Sequence, residues 1–276
     1  MTSTRTDRWL RLDGTANTRD LGGLPTHDGG VTVPRRILRS DNLQTLSAND
    51  VRTLVDEVGL RDVIDLRTSA EILLEGRGPL RAVEAVTHRH FGLIPERGQY
   101  TDVFAVEEDD PLDDLPEDWM ESILPRQAIG RDQAEPPAVR SYLGYLGDRG
   151  DQVVGALRAL TAATGAAIVH CAAGKDRTGV VVALSLSVAG VPHEEIVADY
   201  AMSGDVIDAV VARLAASPTY AGDMERRDVA SHTPRAETMD RVLTLLDERF
   251  GGATGWLDAH GFGAAERTAL RARLRS

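Results

Sequence analysis

Up to residue 190, the apolar positions switch between short blocks and helical spacing. Ile37-Leu38-Arg39 reads as a short strand. Asp62–Leu66 (DVIDL) and Ala166–His170 (AAIVH) are apolar blocks of strand length, continuous enough for burial on both faces. Residues 83–91 predict a further strand. The helices between these blocks have readable starts. Ser47 followed by Asp50, and Thr68 followed by Glu71, carry the spacing of capping boxes. Leu54, Val55 and Val58 give the first of these helices an apolar face, and Gly59 stops it. Val139–Leu146 and Gln152–Ala163 are helical in pattern, and Gly165 breaks the second. Thr178–Ala189 is apolar almost all round, which predicts a buried helix. Asp28-Gly29-Gly30 within Thr26–Val33 predicts a hairpin turn, and residues 14–23 read as an irregular glycine-containing segment.

Beyond Pro192 the pattern is helical throughout, in Glu194–Met202, Asp205–Ala215, Glu237–Phe250, Thr254–Ala259 and Ala264–Leu274. Residues 96–137 differ from both halves. They hold the acidic stretch Glu107–Asp118 and several prolines, and read as a long, lid-like insertion with one short helix around Trp119–Leu124. Alternating strands and helices up to residue 190 predict an α/β fold: a central sheet flanked by helices, followed by a C-terminal helical appendage. A single domain spanning 1–276 accommodates all of it.

Composition narrows the function. The net charge of −12 argues against nucleic-acid partners and against a broad membrane-docking face. The longest apolar run, near Val180–Val191, is too short to span a bilayer, so no stable membrane insertion is expected. The first residues, MTSTRTDRWLRLDG, show no apolar signal-peptide core, and a cytoplasmic setting is expected. One cysteine excludes an internal disulfide framework and a multi-cysteine zinc site. That cysteine, Cys171, lies four residues before Lys175, the one lysine of the chain. A sequence that otherwise avoids both residue types has placed them together in one loop.

The loop is Cys171-Ala172-Ala173-Gly174-Lys175-Asp176-Arg177, set between the strand ending at His170 and the helix beginning near Thr178. Small residues at 172–174 let the backbone curl so that successive N–H groups form an anion nest. The helix start adds its unpaired N–H groups and the positive end of its dipole. A phosphate or sulfate dianion suits such a place, and the same field favours the ionised sulfur of Cys171, the candidate nucleophile. Arg177 offers a planar fork to two oxygens of the anion. Thr178 can give a hydroxyl hydrogen bond to the sulfur, and Lys175 adds a charge at the rim or floor. Ala172, Ala173, Gly174, Lys175 and Thr178 are therefore the candidate substrate-binding positions.

Cys171-x5-Arg177 followed by Thr178 resembles the signature loop of protein tyrosine and dual-specificity phosphatases. The fuller string HCAAGKDRTG resembles their bacterial tyrosine/lipid branch. NTRDLGG at 17–23, RSDNL at 39–43, VIDLRT at 63–68 and DERFGGATGWLDAHGF at 247–262 are similar to that branch as well. The resemblance implies a phosphotyrosine-phosphatase-like sheet and hydrolysis of phosphotyrosine, extending to phosphoserine, phosphothreonine or phosphoinositides. The partners it implies are a phosphorylated protein or a phosphoinositide, with Lys175 meeting an extra ring phosphate. It implies a phosphocysteine intermediate and neither cofactor nor metal. It also implies a loop carboxylic acid that protonates the leaving group. Glu96 falls roughly where that acid belongs, Asp102 is the next candidate, and Asp176 could assist or substitute.

Other readings are a rhodanese-like sulfurtransferase, which also uses a cysteine in an anion-cradling loop, and a non-catalytic phosphopeptide-binding module. His170 reads as a core histidine that orients the loop. Asp20, Arg39, Asp65 and Arg67 read as internal ion pairs supporting it. Tyr142, Tyr145 and Tyr200 read as core. His88 and His90 share one face of a strand, too few for a metal site without further ligands.

Overall fold

A computed structural model describes residues 8–95, 134–217, 219–222 and 232–275. In chain order the elements begin with β1 (Arg19–Asp20) and β2 (Ile37–Ser40). Helix α1 (Ala48–Arg52) runs on into a π-helical stretch, Thr53–Val58. Next come β3 (Leu60–Asp65), α2 (Ser69–Glu75), a 3-10 turn (Pro79–Ala82) and β4 (Thr87–His90). After the acidic segment follow α3 (Pro137–Asp148), α4 (Gly150–Ala162), β5 (Ala166–His170) and α5 (Asp176–Ala189). The remaining helices are α6 (His193–Ala201), α7 (Ile207–Ala215), α8 (Ala236–Phe250), α9 (Ala253–Ala259) and α10 (Ala264–Arg275).

Both capping boxes form as the sequence predicts, with Ser47 and Thr68 as N-caps. Gly59 ends the first helix in the left-handed region, at φ 81°. The strands make one sheet in the order β1-β2-β5-β3-β4, parallel except for β1. Its central strand, β5, is buried along its whole length, which explains an apolar run without alternation. One face packs Ile64, Ala167 and Val169 against α3, α4 and α5. The other packs Leu38, Leu60, Val63 and Ile168 against α1 and its π-helical continuation.

The C-terminal helices pack around α5. Met239, Val242, Trp256, Leu257, Leu270 and Leu274 belong to the same core as Val180–Leu184. The segment read as irregular contains β1, whose Arg19 pairs with Arg39 across the ladder. The expected helix around Trp119–Leu124 lies outside the described residues. Among the described residues, no helix is long and apolar enough to cross a membrane.

One row of the sheet positions the site. Ser40, His170 and Asp65 are register partners, and Asp65 in turn partners His90, so four chain segments leave the sheet together at its carboxyl edge. Parallel sheets bind ligands at that edge.

Candidate active site

The loop after β5 is shaped from behind. The Ala172 carbonyl accepts the Asn42 amide (3.0 Å), the Ala173 carbonyl accepts Asn17 Nδ2 (2.9 Å), and the Gly174 carbonyl accepts Arg39 Nη2 (2.7 Å). No peptide bond of the described chain is cis. In a planar trans peptide the C=O and the following N–H point in opposite directions. Three carbonyls drawn outward therefore turn the N–H groups of Ala173, Gly174 and Lys175 toward the concave side. This is the anion nest that the spacing of small residues predicts.

Gly174 makes the curl possible. Its φ is +68°, and a Cβ there would lie 2.5 Å from the carbonyl carbon and oxygen of Ser40. We expect Gly174→Ala to cost roughly 3 kcal/mol, from left-handed strain plus a clash against backbone. A lower urea midpoint together with weaker phosphate binding would confirm it. An unchanged midpoint would show that the loop does not press on Ser40.

Cys171 opens the loop and is 2% exposed. Ala172 and Ala173 pack beneath Ile207, Val210 and Leu214 of α7 and against Tyr220, so the outer side of the loop is covered too. Helix α5 begins at Asp176, and its first amides have no intrahelical acceptor. Thr178, in that first turn, has a fully buried Oγ1 with no hydrogen-bond partner among the described residues.

Arg177 is held by Glu71 of α2, Nη1 to Oε2 at 2.6 Å and Nη2 to Oε1 at 2.8 Å. Nη1 also reaches the Leu66 carbonyl at 3.4 Å. A guanidinium has five N–H donors. This end-on grip leaves the edge formed by Nε–H and the second Nη2–H for an anion. Burial would raise the Glu71 carboxyl, but Arg177 outweighs it and, with the Thr68 amide and the Tyr220 hydroxyl, brings it down to about 2. Burial would lower Arg177, and Glu71 more than reverses that. Both stay charged at neutral pH. Among the described residues, Glu71 is thus a partner of the candidate site that the sequence reading missed. Its sequence signal, the capping position three residues after Thr68, points only to helix formation.

Asp176 accepts the Tyr142 hydroxyl (2.5 Å) and pairs with Lys175 Nζ (2.9 Å), while Tyr142 bonds Tyr200 (2.7 Å). The tyrosines are core residues, and Tyr142 also anchors the loop acid. Burial would raise Asp176, but Lys175, Tyr142 and Arg177 hold it below its ordinary value. Tyr145 shows how closely these groups converge. Burial raises its phenol first, Asp176 raises it further and Arg177 opposes, with Cys171 and Glu71 adding to the rise.

The supporting pairs read from sequence are present in part. Arg67 grips Asp65 (2.6 Å), and His170 Nε2 lies 3.5 Å from the same carboxylate. Burial, more than any charge, brings His170 down to about 4, so it is neutral at pH 7 and orients rather than transfers protons. Asp20 instead caps the amides of Gly22 and Arg35. His90 bonds the Arg67 carbonyl at 2.7 Å. Among the described residues, no group of three or more histidine, cysteine or acidic side chains could hold a metal ion. Glu96 and Asp102 lie outside the described residues, as does the 96–133 part of the insertion. Residue 137 already belongs to α3.

Comparison with known proteins agrees with this geometry. A family described as "Tyrosine phosphatase family" matches residues 10–276. The "Triple specificity protein phosphatase PtpB" of Mycobacterium tuberculosis is 30% identical over 95% of this chain and 98% of its own length. A "Tyrosine-protein phosphatase" of Nostoc commune is 34% identical over 49% of this chain and 48% of its own.

Proposed function

The chain belongs to the tyrosine phosphatase family, and on that premise we propose the following roles in a two-step hydrolysis of phosphate monoesters. Cys171 attacks the phosphorus, the S–P bond forms as the ester P–O bond breaks, and the alcohol or phenol leaves with a proton. Water then attacks the phosphocysteine, the S–P bond breaks, and inorganic phosphate departs. The N–H groups of Ala173, Gly174 and Lys175 and the free edge of Arg177 hold the equatorial oxygens, where charge sits in both transition states. Thr178 Oγ1 donates to the departing sulfur. The observation that carries this reading is the set of three outward-held carbonyls on a loop whose arginine is fixed end-on by Glu71. The sulfurtransferase and the non-catalytic module drop out with the family assignment.

Asp176 is the general acid of this reading. Before substrate binds it is a carboxylate, held low mainly by Lys175 against burial. A phosphoryl dianion beside it adds like charge and pushes it back up, so protonation follows substrate binding. Asp176→Asn is therefore expected to lower kcat about 100-fold for phenyl phosphate, whose leaving group needs a proton. With dinitrophenyl phosphate, which leaves without one, kcat should change little. Equal rates for the mutant and the unaltered protein on both esters would move the role to Glu96 or Asp102.

Phosphotyrosine is the first substrate of this reading, with phosphoserine, phosphothreonine and phosphoinositides as further candidates; a relative named a triple specificity protein phosphatase supports a range wider than one ester. Lys175, 14% exposed at its side chain, is the candidate contact for a second phosphate. A nucleophilic thiol needs a reducing setting, which favours the cytoplasm. Phosphate release from a panel of these esters, compared by kcat/KM, tests the range.

A further inference from the structure

The most highly charged part of the interior touches the loop through Arg39 and contacts none of the reacting atoms in these steps. Arg8, Arg19 and Arg39 converge on one carboxylate, Asp199 of α6, at 2.8, 3.2 and 2.7 Å. The side chains of Arg19, Arg39 and Asp199 are wholly shielded from solvent, and that of Arg8 nearly so. Asp20, the neighbouring acid, bonds the amides of Gly22 and Arg35 and acts on Arg8 by charge, without an ion-pair contact to the cluster. Among the described residues, three cations thus share one anion in a setting where an uncompensated charge costs several kcal/mol. Arg19 registers the crowding. Burial, reinforced by Arg39, draws it down to about 9 although Asp199 pulls the other way.

The cluster touches the catalytic loop at two carbonyls. Arg39 spans from Asp199 to the Gly174 carbonyl (2.7 Å each). Arg19 bonds Asn17 Oδ1 (2.5 Å), and Asn17 Nδ2 bonds the Ala173 carbonyl (2.9 Å). The Arg39 guanidinium therefore stands at the negative end of the Gly174–Lys175 peptide dipole, and Arg19 reaches the Ala173–Gly174 peptide only through the Asn17 amide. Arg39 Nε is buried without a hydrogen-bond partner among the described residues. In a low-dielectric interior such chains of dipoles polarise one another.

We propose that Arg39 is a positioning residue for the reaction, and that the excess positive charge around Asp199 is balanced, through the loop, by the bound phosphoryl dianion. This rests on the phosphatase reading above. It gives the strongly acidic chain a local positive field where its anionic substrate sits. It also makes oxyanion binding and the stability of the cluster one coupled equilibrium, in which phosphate offsets the excess positive charge.

The test compares the unaltered protein with Arg39→Gln and Arg39→Lys. The readouts are the inhibition constant of inorganic phosphate against aryl phosphate hydrolysis, and Tm with and without phosphate. For Arg39→Gln the inhibition constant should rise about tenfold, within the usual range for coupled sites. The phosphate-induced rise in Tm should shrink, while Tm without phosphate should be no lower than before. Arg39→Lys, which keeps the charge but not the planar fork, should fall between the two. An equal drop in Tm with and without phosphate, at an unchanged inhibition constant, would make Arg39 merely structural and overturn the proposal. Should Arg39→Gln fail to fold, Arg8→Gln carries the test, since it touches Asp199 and not the loop. A phosphate inhibition constant raised about threefold is expected there, and an unchanged one overturns the coupling. If the unaltered protein neither binds phosphate nor hydrolyses the ester, the phosphatase reading itself fails.

Discussion

Cys171→Ser is expected to lower kcat for an aryl phosphate by at least about 10⁴-fold while leaving phosphate binding in place, because no other side chain takes over a lost covalent nucleophile. The serine hydroxyl stays protonated at neutral pH, where it is a weak nucleophile without a neighbouring base. Everything that holds the anion survives the change. The carbonyls of Ala172, Ala173 and Gly174 remain tied back by Asn42, Asn17 and Arg39, and Arg177 remains on Glu71. Binding of inorganic phosphate followed by calorimetry, beside phosphate release from the ester, separates the two effects. Substantial turnover in the serine variant would remove Cys171 from the chemistry.

Arg177→Lys is expected to lower kcat about 10³-fold, the scale on which a single arginine stabilises phosphoryl-transfer charge. In the proposed reaction the guanidinium does two things at once: one end closes on both oxygens of Glu71 while the remaining N–H donors hold the phosphoryl oxygens. A lysine ammonium is a point charge and cannot do both. Glu71, 1% exposed at its side chain, would then keep its charge with a poorer partner. Stability should fall by about 3 kcal/mol, as it does when a buried ion pair is broken. Steady-state kinetics and urea unfolding read the two losses. A rise in KM alone, with kcat and the unfolding midpoint unchanged, would mean that Arg177 only attracts substrate and that the Glu71 pair is idle.

Much of this was legible from the residues in order. β5 and α5 are apolar without alternation because both are covered on all sides, and the glycine stop at 59 and the two capping boxes are local chemistry that tertiary packing did not override. The catalytic loop was legible for the same reason: nucleophile, curl and arginine lie within seven consecutive residues. What escaped depends on contacts between distant segments. β1 was missed because its buried residue is Arg19, which an apolar pattern cannot mark as interior. Glu71 lies 106 positions from Arg177, and its capping role fully accounts for its presence in the sequence. Asp199 sits on a helix otherwise read from its apolar stripe, and nothing local says that three arginines from the first forty residues end there. Supporting pairs such as Arg39 with the loop could be suspected from a cluster of polar residues near strand ends, but their partners are fixed only by the order β1-β2-β5-β3-β4.

The most direct measurement is rapid acid quench of the working enzyme with a phosphorus-labelled aryl phosphate, followed by peptide mapping of the label. Label bound through sulfur to the peptide containing Cys171, formed within one turnover and lost as inorganic phosphate appears, is the expected result. Phosphate released at full rate with no label ever on that peptide would contradict a covalent route through Cys171.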